Sequence, residues 1–204
     1  MIAKDNDIVI TSALRTPIGT FRGSLKNAKA DVLGSIVVKA LIKKSNLNPA
    51  DVEELIMGQV LTGAAGQNPA RQSAIHAGID TSKTATTINQ VCGSGLAAVA
   101  LGFNSLKLND AKVVIAGGQE SMSNSPHYQN LRKGEKLDNE KMQDSMIIDG
   151  LLDVYNQYHM GVTAENVAEK YQITRSQQDE FAVKSQSKAA EAIKTNKFKD
   201  EIVP

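Results

Sequence analysis

Short β-branched and aliphatic runs alternate along this chain with stretches whose apolar positions recur at helical spacing. That alternation predicts a parallel α/β sheet. The first run is Ile8-Val9-Ile10-Thr11, read as a strand and closed by the turn-rich Arg15-Thr16-Pro17-Ile18-Gly19. Asp31 is a candidate N-cap for a helix whose apolar face is Val32, Leu33, Ile36, Val37, Ala40 and Leu41. Asn48-Pro49 has the form of a cap followed by a proline at the first helical position. Leu55-Ile56-Met57, Thr84-Ala85-Thr86-Thr87-Ile88 and Val113-Val114-Ile115-Ala116 are three further strands. Gly58 to Gly66 is a Gly/Ala-rich loop. Asn68-Pro69 opens a helix that Gly78 closes. Ser94 to Leu108 is small and apolar nearly all round, which predicts a buried helix.

After Gly118 the pattern changes. Residues 121–145 mix Arg132, Lys133, Lys136 and Lys141 with Glu135, Asp138, Glu140 and Asp144, and are expected to form an exposed insertion. One helix is expected from Thr163 to about Lys170. A second starts at Thr174, where Gln177 completes a capping box, and carries Phe181, Ala182, Ala189, Ala192 and Ile193. Ile202-Val203-Pro204 reads as the start of a new strand.

Composition narrows the classes. The chain has 204 residues, enough for a real core without disulfides or metals. Its single cysteine excludes an intramolecular disulfide and a cysteine-based zinc cluster. Lys plus Arg is 23 and Asp plus Glu is 22, a net charge of +1, so the balance suggests no nucleic-acid partner. No apolar run is long enough to span a bilayer, so no membrane partner is expected. The N-terminus MIAKDNDIVITSA has neither a secretory core nor transit-peptide character. A cytoplasmic, reducing setting is the resulting expectation, and it keeps a lone thiol free. His76 and His127, well separated from each other and from the cysteine, form no metal site by spacing, and neither is given a role.

The candidate chemistry lies in Asn89-Gln90-Val91-Cys92-Gly93-Ser94-Gly95, where a strand hands over to a helix. A residue on such a turn projects at the carboxyl edge of the sheet, where α/β proteins place ligands. The helix N-terminus there favours an anion, and so a thiolate. The layout resembles a nucleophile elbow with Cys92 in the serine position. A free cysteine is often just a small buried apolar residue. The strand, the flanking glycines and the helix start together favour the nucleophile. Gly93-Ser94-Gly95-Leu96-Ala97-Ala98 also fits the dinucleotide pattern G-x-G-x-x-A. That motif needs an acid at the end of the next strand. The next strand ends at Gly117-Gly118, with Glu120 arriving late, which weakens the dinucleotide reading.

Four segments carry a family resemblance. They are Ala13-Leu14-Arg15-Thr16-Pro17-Ile18-Gly19, the Cys92 segment, Gly117-Gly118-Gln119-Glu120-Ser121-Met122-Ser123 and His159-Met160-Gly161. Together they resemble the thiolases, most closely the biosynthetic acetoacetyl-CoA branch. The resemblance implies the N-terminal half of a layered α/β/α/β/α fold with a mixed sheet. Residues 1–120 would form the α/β domain, 121–198 a loop insertion for the CoA pocket and oligomerisation, and 199–204 the returning strand. It implies an acyltransferase that condenses two acetyl-CoA to acetoacetyl-CoA and CoA, and the reverse, through an acyl-Cys92 intermediate. The Cys92 N–H would supply half of an oxyanion hole. Leu151, His159 and Met160 would line the CoA and acyl pocket, and residues 124–143 would include the tetramer loop. No cofactor is implied beyond the coenzyme A thioester, which is the substrate. Partners would be acetyl-CoA and CoA, a homo-oligomer (dimer or tetramer) and a possible companion chain.

The resemblance also implies groups that this sequence lacks: a His in Gly-His-Pro, a second Cys in Cys-Gly-Gly-Gly and an Asn in Asn-Glu-Ala-Phe. The expectation is a truncated thiolase whose isolated chain is inactive or partner-dependent. A non-catalytic association module derived from a thiolase is the alternative. A fatty-acid-type condensing enzyme would share the nucleophile but leave His159-Met160 unexplained.

Overall fold

Leu55, Ile56 and Met57 are all buried, on a strand with both faces covered. An uninterrupted apolar triplet suits only such a strand, because successive side chains point to opposite faces. In the computed structural model, which describes residues 7–204, this strand is the middle of the sheet. The order of elements is α1 (Ala30–Lys44), β1 (Glu54–Gly58), α2 (Pro69–Ala77), β2 (Thr84–Ile88), α3 (Ser94–Lys107) and β3 (Val114–Gly118). The strand order is β2-β1-β3, and both pairings are parallel, with Leu55 opposite Ala85 and Ile115. Helices α1 and α2 pack against each other, and α2 lies on β1 and β2, whereas α3 lies on β1 and β3.

The core is built from these contacts. Leu55 and Met57 join Val38, Ile42, Ala70, Ala74 and Ala77 in one apolar cluster. Ile56, between them in the strand, points to the α3 side. The α2 helix is set by local chemistry at both ends. Asn68 Oδ1 accepts from Arg71 N–H at 3.2 Å, Pro69 takes the first position, and Gly78 ends the helix at a φ of 92°. Asn48 caps in the same way, but it opens only a single 3₁₀ turn, Pro49–Asp51, rather than a longer helix.

After β3 the chain runs through short 3₁₀ turns and two ribbons: β4 (His127–Tyr128) with β5 (Gln143–Asp144), and β6 (Leu152–Asp153) with β7 (Tyr158–His159). Both ribbons are antiparallel, in contrast to the main sheet. Residues 129–141 are almost entirely exposed, as their charge pattern predicts. Helix α4 spans Met160–Lys170, three residues earlier than its pattern predicts, because His159 rather than a later residue caps it. Helix α5 spans Arg175–Lys194 and has the complete Thr174/Gln177 capping box.

Three expectations are corrected. Ile8–Thr11 forms no strand, and Val9 and Ile10 are exposed; the first pairing of that segment is a single parallel bridge from Arg15 to Ile202. The chain end at Ile202 does meet a strand-like partner there, and the Arg15–Glu201 ion pair (2.7 Å) supports it. Asp31 is not the N-cap of α1. Lys29 holds that place without a side-chain bond, and the buried Asp31 carboxylate lies 3.4 Å from His76 Nδ1 on α2. Helix α3 is buried on one stripe only, Ser94, Ala98 and Gly102. Leu96 is 77% exposed and Phe103 50%, so its apolar residues outnumber those the sheet covers.

This packing is testable at two positions. A Cβ added at Gly58 would stand 2.5–2.7 Å from the backbone of Ser94 and Gly95, where α3 meets the end of β1. Gly58→Ala should therefore destabilise the fold by about 1–3 kcal/mol, the usual range for overpacking, as read from denaturant midpoints. Glu53 fastens β1 to β3: its carboxylate accepts the Lys112 N–H, while its own N–H donates to Val113 O. The Lys112 bond chiefly holds this carboxyl below its ordinary pKa of 4.5. The unfolded chain then binds this proton more tightly than the native one. The stability gained is present above the ordinary pKa and is lost as pH falls through the lowered native value. Wild type should melt above Glu53→Gln at neutral pH, and the gap should close on acidification, as monitored by circular dichroism.

Candidate active site

The turn after β2 is tightly bonded. Val91 N–H donates to Asn89 Oδ1 (2.8 Å), and Gln90 N–H donates to Ser94 Oγ (2.8 Å). Ser94 Oγ donates in turn to Val91 O at 2.6 Å. Gly93 and Ser94 N–H close back onto Gln90 O and Val91 O. These bonds hold Val91 at a φ of 49°. A β-branched residue there is a true outlier, and it persists only because its surroundings over-determine it. The strain falls one residue before the cysteine, and Cys92 emerges exposed.

Cys92 borders a cavity of about 460 Å³. Four segments build its wall: Gly58–Leu61 beyond β1, the Val91–Gly95 turn, Gly118–Met122 beyond β3, and Gly150–Leu151. All three strands thus end at this cavity by their carboxyl ends, where parallel sheets place ligands. Helix α3 points its N-terminus at the cavity and carries no side-chain cap there. That end of the helix favours negative charge. Gly150 and Leu151 belong to a single π-helical turn, Ile147–Leu151, a device common at functional sites.

Behind this wall runs a buried polar chain. Ser73 Oγ donates to Gln119 Oε1 (2.6 Å), Gln119 Nε2 to Gln59 Oε1 (2.9 Å), and Gln59 Nε2 to Leu61 O (2.9 Å). Ser73, Gln119 and Gln59 are all buried, so each bond replaces hydration that burial removes. Gly34 makes room for it on α1, since a Cβ there would overlap Gln119 Oε1. Beside this chain, Glu120 accepts the N–H groups of Val60 (2.8 Å) and Leu61 (3.2 Å). Burial pushes the Glu120 carboxyl above its ordinary pKa, and the two N–H bonds pull partly against it.

Of the residues named from sequence, Cys92 and Leu151 come together on this cavity. His159 and Met160 are not among its lining residues. Both are exposed, and His159 Nδ1 caps α4 by accepting Gly161 N–H at 3.0 Å. Sequence reasoning missed Gln59, Leu61 and the wall role of Glu120. The signal available was position alone: they lie just beyond strand carboxyl ends. Nothing in the sequence marks Val91 for positive φ.

Comparison with known proteins supplies the family and the fold. The family model for the thiolase N-terminal domain matches residues 8–204. An acetyl-CoA acetyltransferase from Cupriavidus necator is 56% identical over 97% of this chain and 51% of its own length. One from Paracoccus denitrificans is 55% identical over 96% of this chain and 50% of its own. The crystal structure of the Acat5 thiolase from Ascaris suum in complex with coenzyme A superposes with a TM-score of 0.89 at 39% identity, covering 95% of this chain and 50% of that one. The chain thus spans about half the length of the curated relatives it matches. On the match of nearly its whole length, from residue 8 to residue 204, the chain belongs to the thiolase family.

Proposed function

We propose that this chain carries the acyl-accepting half of a thiolase reaction, with Cys92 as the nucleophile. The observation that supports it is the placing of the single thiol: exposed, on an over-determined turn, at a cavity bounded by the strand ends and a helix N-terminus. The Cys92 thiolate attacks the thioester carbonyl of acetyl-CoA. The resulting oxyanion is stabilised in part by the Cys92 N–H, and its collapse breaks the C–S bond to coenzyme A. The products are an acetyl-Cys92 thioester and the CoA thiolate, which takes up a proton. Condensation with a second acetyl-CoA, or thiolysis in reverse, completes the reaction we assign to the whole protein. Leu151 fits the acyl side of this pocket. His159 pairs with Leu152, the residue after the lining Leu151, and with Met160 behind it fits a role at the CoA-facing approach. The substrate is itself the coenzyme thioester, so the scheme calls for no further cofactor, and a cytoplasmic setting suits the free thiol.

Acylation, which rests on this chain's residues, is separable from condensation. Incubating the purified chain with acetyl-CoA should add one acetyl group to Cys92, seen by intact-mass and peptide mass spectrometry, with release of CoA. Cys92→Ser should reduce labelling to background. Little or no acetoacetyl-CoA should form, whereas turnover at an ordinary enzymatic rate would refute the expected dependence on further chain. Failure of acetyl-CoA to label Cys92, with iodoacetamide reacting at the rate of a model thiol, would instead favour a non-catalytic association module.

A further inference from the structure

We infer that Glu120 is a positioning residue that pins the Val60–Leu61 wall of the Cys92 cavity, and so limits the length of the acyl chain that reaches the sulfur. The inference deepens the acyl-transfer reading and rests on it for the chemistry of what enters.

Strand β1 ends at Gly58, and its ladder continues one step further as Gln59 N–H donates to Ile88 O. The next two backbone donors, Val60 and Leu61, have no strand partner. Each meets one oxygen of the Glu120 carboxylate, Oε2 and Oε1 respectively. The Leu61 carbonyl is held from the other side by Gln59 Nε2. The Leu61 backbone is therefore fixed through both its donor and its acceptor. Its side chain is nearly buried and reaches the π-helical turn, where a Cβ on Gly150 would sit 3.6 Å from Leu61 Cδ2. That turn presents Leu151 to the same cavity. A line of neighbours thus runs from Glu120 through Leu61 to the Gly150–Leu151 turn.

The residue type matters. A carboxylate offers two acceptors, one for each N–H. A glutamine of the same shape offers one acceptor and turns an NH₂ donor towards the other N–H. Glu120→Gln should therefore free one wall amide, and Glu120→Ala both.

The test reads the wall and the gate separately. Hydrogen exchange should quicken by roughly tenfold at one of the two amides, Val60 or Leu61, in Glu120→Gln and at both in Glu120→Ala, the scale of one lost hydrogen bond to a charged acceptor. The gate is read by methyl, butyl and hexyl methanethiosulfonates. The Cys92 thiolate forms a disulfide with their alkylthio group, and methanesulfinate leaves. In Glu120→Ala the hexyl rate should rise about tenfold, the scale of a relaxed apolar pocket, while the methyl rate stays within about twofold. Glu120→Gln should fall between, and Leu61→Ala should mimic Glu120→Ala without touching the carboxylate. Glu135→Ala, in the exposed loop, should change neither rate. A general loosening would raise methyl and hexyl rates together, and that result overturns the inference. Unchanged exchange at Val60 and Leu61 in Glu120→Gln, or an unchanged hexyl-to-methyl ratio in folded Glu120→Gln and Leu61→Ala, overturns it as well. Because these reagents need no thioester, a failure of acetyl-CoA to label wild-type Cys92 removes the acyl-transfer reading without deciding the gate.

Discussion

The site depends on how closely the first turn of α3 lies against the ends of β1 and β3. At Gly58 the backbone of Ser94 and Gly95 occupies the space a side chain would need. A larger residue would push the helix off the strand end and carry the Cys92 turn with it. The same closeness fixes Ser94, whose hydroxyl bonds Gln90 N–H and Val91 O and so closes the turn. Val91 is then forced to positive φ at a local cost that the surrounding bonds offset. The result is a sulfur raised above the sheet edge by packing rather than by any property of cysteine.

A second constraint lies beneath the cavity. Burying two glutamines and a serine is unfavourable unless each polar atom finds a partner, and a half-satisfied network is worse than none. Here the chain from Ser73 through Gln119 and Gln59 to Leu61 O is continuous, and it ties α2 to the loop beyond β1. Such a network permits few alternative arrangements, which suits a wall that must keep its shape. Glu120 extends the arrangement to the next two amides, in a place where burial alone disfavours its charge.

The apolar surface is unevenly spent. The α1/α2 side of the sheet is sealed by a single cluster, whereas α3 and α5 leave Leu96, Phe103, Phe181 and Ile193 exposed. In α5 only Ala192 is buried, so the helix owes its local definition to its capping box and helical propensity more than to core contacts within this chain.

The sequence by itself determined the parallel α/β class, three of the four strands read before residue 120, the Asn68-Pro69 and Thr174/Gln177 helix starts, and Cys92 at a strand-to-helix turn. These are local matters: periodicity, caps and glycines act within a few residues. Ile8–Thr11 has the strand pattern but no strand, because a ladder needs a neighbour and only Arg15 finds one, at Ile202. Helix α3 has apolar residues all round, yet the single sheet face beneath it covers one stripe. Tertiary structure alone decided that Leu151 shares the cavity with Cys92 while His159 caps a helix outside its lining. It also decided that Glu120 meets two amides about sixty positions back in the chain. Those pairings join segments that no local pattern relates, and they exist only because parallel strands bring their carboxyl ends to one edge.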